Sequence, residues 1–137
     1  MCQIVFEIIG IPVAKGRPRF ARQGRFVKAY TPDKTRTHET NVLAQAIPYR
    51  PKEPIDSEIG LDLTFYMPIP KSMPKRNLVT AEAEKMPMIK KPDLDNLMKA
   101  AIDPLNGVFW TDDSRIALKK ARKLYSKNPR IKYVIVY

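Results

Sequence analysis

The chain has 137 residues, enough for one compact domain and too few for a second with its own core. Its residues are 44% hydrophobic, which excludes a disordered polymer, while 25 Lys and Arg against 14 Asp and Glu leave a net charge of +11. An excess that large in so short a chain points to a polyanionic partner, because each phosphate neutralised by a cation releases condensed counterions. A merely soluble basic protein is the plainer alternative. The single cysteine, Cys2, excludes an internal disulfide and a cysteine-ligated zinc cluster, so a reducing, cytoplasmic interior is the default expectation. No signal peptide is legible at the start, and no apolar run nears the ~20 residues that span a bilayer. One histidine, His38, excludes chemistry built on paired histidines and reads as a surface residue of a helix.

In chain order, residues 3–11 read as a β-strand rich in Ile, Val and Phe, ended by Gly10 and Pro12. Residues 15–28 form a basic stretch whose Gly and Pro suit a loop or open hairpin. Thr31 as cap, Pro32 in the first turn and Asp33 against the dipole then signal a helix start. That helix should run through Val42, Leu43 and Ile47 and stop before Pro48. Over 58–67 the alternation is clean: Ile59, Leu61, Leu63, Phe65 and Met67 share one face of a half-buried strand, opposite Glu58, Gly60, Asp62, Thr64 and Tyr66. Residues 68–92, broken by Pro70, Pro74, Pro87 and Pro92, read as a mobile excursion with a short helix over 77–84. A helix over 96–105, closed by Asn106 and Gly107, precedes two final strands over 115–125 and 131–137, joined by the turn formers Lys127, Asn128 and Pro129. Strands outnumber helices and should pair mainly with their neighbours. The expected fold is therefore α+β: one domain over 1–137, with helices packed on a mixed, mainly antiparallel sheet.

The acids are not spread evenly. Between Asp93 and Asp113 lie five acids (Asp93, Asp95, Asp103, Asp112 and Asp113) and one base, Lys99, a local charge of −4 in a chain otherwise at +15. A phosphate-binding protein gains from such a cluster only if cations sit between, and Mg²⁺ takes oxygen ligands, usually one or two carboxylates plus substrate phosphate. Pro92 biases Lys91 towards extended backbone. If that conformation continues, Asp93 and Asp95 point to one side while Leu94 anchors the core. Inside a helix the two would diverge by roughly 200°. The helix is therefore expected to start at Asp95 or Asn96. A third ligand is needed, and Asp112–Asp113 follows a strand-like apolar run, Val108, Phe109 and Trp110. Lys99 stands four residues from both Asp95 and Asp103, where an ammonium can stabilise charge on a phosphoryl transition state, held in place by Asp103. Each feature also has a plain structural reading: a helix cap and dipole complement for Asp93 and Asp95, a solvated ladder for Lys99, and a polar turn for Asp112–Asp113.

The run from Lys91 through Pro-Asp-Leu-Asp-Asn-Leu-Met-Lys-Ala, and the following Ala-Ile-Asp-Pro-Leu-Asn-Gly-Val-Phe-Trp-Thr-Asp-Asp-Ser-Arg-Ile, closely resembles the signature of the RusA family of Holliday junction resolvases. The opening Ile-Pro-Val-Ala-Lys-Gly-Arg-Pro-Arg-Phe and Tyr30-Thr-Pro are also similar to that family. The resemblance implies metal-binding catalytic aspartates at Asp93, Asp95 and Asp113, an essential lysine at Lys99, and supporting roles for Asn96 and Asp112. It further implies a homodimer that cuts four-way branched DNA with Mg²⁺, for which Mn²⁺ can substitute. The basic stretch, with Lys15, Arg17, Arg19, Arg22, Arg25 and Lys28 around Phe20 and Phe26, is expected to bind backbone phosphates, with an aromatic wedge near the branch point, or to be a solvated loop. The apolar strands and residues 108–110 are candidate dimer surfaces. Two rival readings stand beside this one: a non-catalytic nucleic-acid binding protein, and a metal-dependent nuclease that prefers flaps or duplexes.

Overall fold

Apolar alternation builds the sheet. In a computed structural model, which describes residues 1–16, 19–30 and 33–137 and all of their side chains except those of Arg19, Gln23 and Tyr30, strands β1 (Gln3–Ile9), β4 (Ile59–Pro68), β5 (Ile116–Ser126) and β6 (Arg130–Val136) lie in the order β1-β6-β4-β5. β6 runs antiparallel to both β1 and β4, and β5 runs parallel to β4. The expected α+β class and mixed, mainly antiparallel sheet are what the chain forms. Pairing between neighbours is met only in part: the consecutive strands β4 and β5 pair, but β6 pairs with β1 and β4. β5 and β6 are joined by a three-residue turn yet have β4 between them, because β4 is the strand most able to be buried: Ile59, Leu61, Leu63, Phe65 and Met67 fill one face, and Thr64 is buried on the other. Among the described residues, no helix is long and apolar enough to cross a membrane.

Helix α1 (Asp33–Ala46) buries Thr35, His38, Val42 and Ala46 at helical spacing and packs on β1 and on α3 (Leu94–Ile102). The expected cap at Thr31 and first-turn Pro32 lie outside the described residues. His38, expected on the surface, is 8% exposed, because its ring lies under the chain segment that follows β1. The helix stops before Pro48 as expected but one residue short of Ile47, which enters a 3₁₀ turn over Ile47–Tyr49. There Tyr49 stacks on Phe6, which also stacks on Tyr133.

The proline-broken stretch 68–92 is not the loose excursion its composition suggests. It contains α2 (Lys75–Glu82) and then adds to the outer edge of β5, with Tyr125 N–H donating to the Met86 carbonyl at 3.1 Å and Met88 N–H to that of Lys123 at 3.0 Å. Glu84, at φ 61°, accepts from Arg130 at 2.7 Å and from the Ser126 hydroxyl at 2.5 Å. Arg130 also lies 3.8 Å over the Tyr66 ring and bonds Glu7 at 2.5 Å, so one guanidinium ties the excursion to three strands.

Residues 108–110, expected to be strand-like, form a tight turn instead. Gly107 has φ 80°, a conformation open to glycine, and its N–H donates to the Trp110 carbonyl at 2.7 Å. The turn drives Phe109 and Trp110 into the core at 0% exposure, which removes both from any dimer surface.

Candidate active site

α3 starts at Leu94, one residue before the expected Asp95 and two before Asn96. Leu94, Leu97, Met98 and Ala101 all pack on the core at i, i+3, i+4, i+7 spacing, and that face is complete only if Leu94 is already helical. Asp93 is consequently the N-cap, with extended φ −66° and ψ 143°, and Asp95 sits in the first helical turn. The two carboxylates therefore do not share one extended segment. The Asp93 carboxylate makes no capping bond, although that is the commonest use of Asp at this position. Asp93, Asp95 and Asp113 are all exposed, and none accepts a hydrogen bond or ion pair from any described residue. Both acids at the helix start are stabilised by the positive end of the α3 dipole.

Asp112 and Asp113 stand on the turn that enters β5. Asp112 caps the short turn Asp113–Arg115, accepting from Ser114 N–H at 3.1 Å, and these Ser114 bonds hold its carboxyl below the ordinary value of 3.8. The turn is clamped from outside by Asp56, which accepts from the Thr111 hydroxyl at 2.7 Å and from Arg115 at 2.9 Å. Those bonds, Thr111 first, depress the Asp56 carboxyl as well. Sequence reasoning passed over Asp56, and nothing local marks it: its partners lie 55 and 59 residues away.

Lys99 is exposed and makes no ion pair among the described residues. Asp103 does not hold it. The Asp103 carboxylate instead takes the ammonium of Lys15, which also pairs with Glu39 at 3.4 Å. Burial pushes the Lys15 pKa down, but the bonds and charges of Asp103 and Glu39 outweigh it and hold the ammonium above its ordinary 10.5. Lys15, expected among the phosphate contacts, is thus committed inside the protein. Its N–H donates to the Asn96 carbonyl at 3.0 Å, Gly16 N–H donates to Thr35 Oγ1 at 2.9 Å, and Val13 N–H approaches His38 Nε2 at 3.4 Å. Residues 13–16 form a strap stitched to α1 and α3, and Asn96 acts in it through its backbone.

Beyond the strap stands a two-stranded ribbon, β2 (Arg19–Gln23) and β3 (Phe26–Tyr30), which pairs with no other described strand. Gly24, at φ 61°, opens its two-residue turn, as such tight hairpins require. Phe20 and Phe26 are 70% and 77% exposed and fall on opposite faces of the ribbon, interleaved with exposed Arg22, Arg25 and Lys28. The expected contact Arg17 and the side chain of Arg19 lie outside the described residues. Exposed rings among cations match what a nucleic-acid surface needs: charge for phosphates and flat apolar faces for bases.

The carboxylates suit a hard divalent cation by chemistry, being unpaired oxygen donors. Among the described residues, however, no group of three or more His, Cys, Asp or Glu side chains lies close enough to hold one metal ion. The chain alone offers separate ligands rather than a finished cage, and magnesium is usually held in this way, by one or two carboxylates with substrate phosphate and water completing its shell.

Comparison with known proteins supplies the context. The family described as Endodeoxyribonuclease RusA matches residues 10–136, a span that includes the strap, the ribbon and every acid of the candidate site. A protein of Bacillus subtilis (strain 168), named "Uncharacterized protein YqaN", is 34% identical over 134 residues, covering 96% of this chain and 94% of its own length.

Proposed function

The chain belongs to the RusA endodeoxyribonuclease family, and from that premise we propose that it resolves four-way branched DNA, as a homodimer, by paired Mg²⁺-dependent phosphodiester cleavage. The observation that carries the reading is electrostatic. In a chain of net charge +11, the carboxylates of Asp93, Asp95 and Asp113 have no cationic partner among the described residues, while an exposed basic, aromatic ribbon stands beyond the strap. Unpaired acids in so positive a body repel DNA unless a cation intervenes.

In this reading Asp93, Asp95 and Asp113 hold the ion, with Mn²⁺ an effective substitute, and Asn96, Asp103 and Asp112 support them. The ion would supply positive charge against the scissile phosphate. Lys99, without an ion pair among the described residues, offsets charge developing on the phosphate or the leaving oxygen. Arg22, Arg25 and Lys28 bind backbone phosphates, and Phe20 or Phe26 stacks where the branch leaves a base unstacked. Lys15 acts from behind, holding the root of the ribbon to α3. The test is a substrate panel: synthetic four-way junction, flap and duplex, each with Mg²⁺ or with chelator. The proposal expects symmetrical paired nicks in the junction alone, abolished by chelator. Preferential cutting of flaps or duplexes replaces the substrate class. Tight junction binding without cutting favours a passive binder, the reading suited by the separation of the acids.

A further inference from the structure

The backbone leading into α3 is held by one side chain. Lys123 stands on β5, and its ammonium donates to the carbonyls of Lys90 and Pro92, each at 2.8 Å. Met88 N–H donates to the Lys123 carbonyl at 3.0 Å, so the same residue grips the incoming segment through both backbone and side chain. Pro92 immediately precedes Asp93. Lys123 is half-buried and makes no ion pair among the described residues. A lysine head is strongly hydrated and ordinarily kept in water, so a site that commits two of its three donors to neutral carbonyls is spending that hydration on fixing a backbone.

What it fixes is the entry to the N-cap. Asp93 keeps an extended backbone, and its carboxylate stays off the helix amides, where an N-cap Asp usually rests. With the carbonyls of Lys90 and Pro92 moored to β5, the direction of the chain into Asp93 is set by the sheet rather than by the helix end. We propose that Lys123 is a positioning residue for Asp93, presenting its carboxylate to a divalent cation. The inference rests on the metal site proposed above.

A bystander charge and a mooring predict effects of opposite sign. Removing a nearby ammonium that merely repels a cation tightens cation binding. Removing a mooring lets Asp93 leave its position and weakens it. Mn²⁺ affinity, read from the electron paramagnetic resonance signal of the free ion, is therefore measured on the full chain for wild type, Lys123→Met, Lys123→Arg and Asp93→Asn. Lys123→Met is expected to weaken Mn²⁺ binding about tenfold, the scale of lost supporting contacts around metal ligands. Lys123→Arg, which keeps the charge and the donors, should stay close to wild type. Metal-free junction binding by Lys123→Met should keep its salt slope, whereas a lost phosphate contact lowers the slope by about one. Unchanged or tighter Mn²⁺ binding by Lys123→Met overturns the proposal. Should that variant not fold, Lys123→Gln, which removes the charge and shortens the reach, is judged by the same sign. Equal binding by wild type and Asp93→Asn instead overturns the metal reading itself, and the two failures are told apart.

Discussion

Replacing Arg22, Arg25 and Lys28 together with alanine removes three exposed cations from the ribbon without touching the core. Each phosphate contact contributes about 0.9 to the slope of log affinity against log salt, so losing three lowers the slope by about 2.7. Raising salt from about 50 to about 200 mM should then weaken the wild type about 40-fold more than the triple variant. Lys15→Met is the informative contrast. Its ammonium is already neutralised by Asp103 and Glu39, so its loss should leave the slope unchanged and appear as lower stability instead. With its side chain 31% exposed, the cost is about 1–2 kcal/mol, between a surface and a buried pair. Fluorescence anisotropy of a labelled junction in chelator, over a series of salt concentrations, reads the first quantity, and urea unfolding reads the second. A slope lowered by Lys15→Met as much as by a ribbon cation, or left unchanged by the triple variant, refutes this division of roles.

Arg130→Met should cost about 2–3 kcal/mol in urea unfolding at neutral pH, since it deprives the Glu84 and Glu7 carboxylates of their guanidinium and strips the Tyr66 ring of its cation. The Arg130 bond, with help from Ser126, lowers the Glu84 pKa below its ordinary 4.5, so the stability lost in Glu84→Gln should be full above that pH and fade as pH falls through the depressed value. Burial lowers the His38 pKa from 6.5, so the folded protein favours the neutral ring. Stability should therefore be highest above that pH and decline as pH falls below it, and His38→Gln should flatten the decline in denaturation measured from about pH 7 to 5.

How much of this was legible in the sequence depended on whether a residue's partner was near or far. β4 was plain because period-two alternation is a local signal, and β1 and β6 carry the same β-branched richness. The acid cluster from Asp93 to Asp113 is legible by charge in a basic chain, and the family resemblance narrows it to Asp93, Asp95 and Asp113. Sequence alone places the start of α3 one or two residues late, because Leu94 reads as an anchor on extended backbone, whereas its packing with Leu97 and Ala101 requires the helix. Residues 108–110 have the composition of a strand, but Gly107 and the bridge between Ile55 and Trp110 fold them into a tight turn. Lys15, Asp56 and Lys123 show the general difficulty: each is tied to a partner more than 30 residues away along the chain, two of them 55 or more, and nothing in the local pattern distinguishes a committed charge from a solvated one. Prolines suggested looseness in 68–92, yet Glu84 and Met88 bind residues of β5 that the sequence could not assign to them.

The central claim is that the carboxylates serve the chemistry and not the grip on DNA. Asp95→Asn, assayed on a labelled four-way junction with Mg²⁺, should bind within about twofold of wild type, since no phosphate contact is lost, and yield no detectable paired nicks. Cleavage at the wild-type rate would show that this acid is only a dipole complement at a helix start.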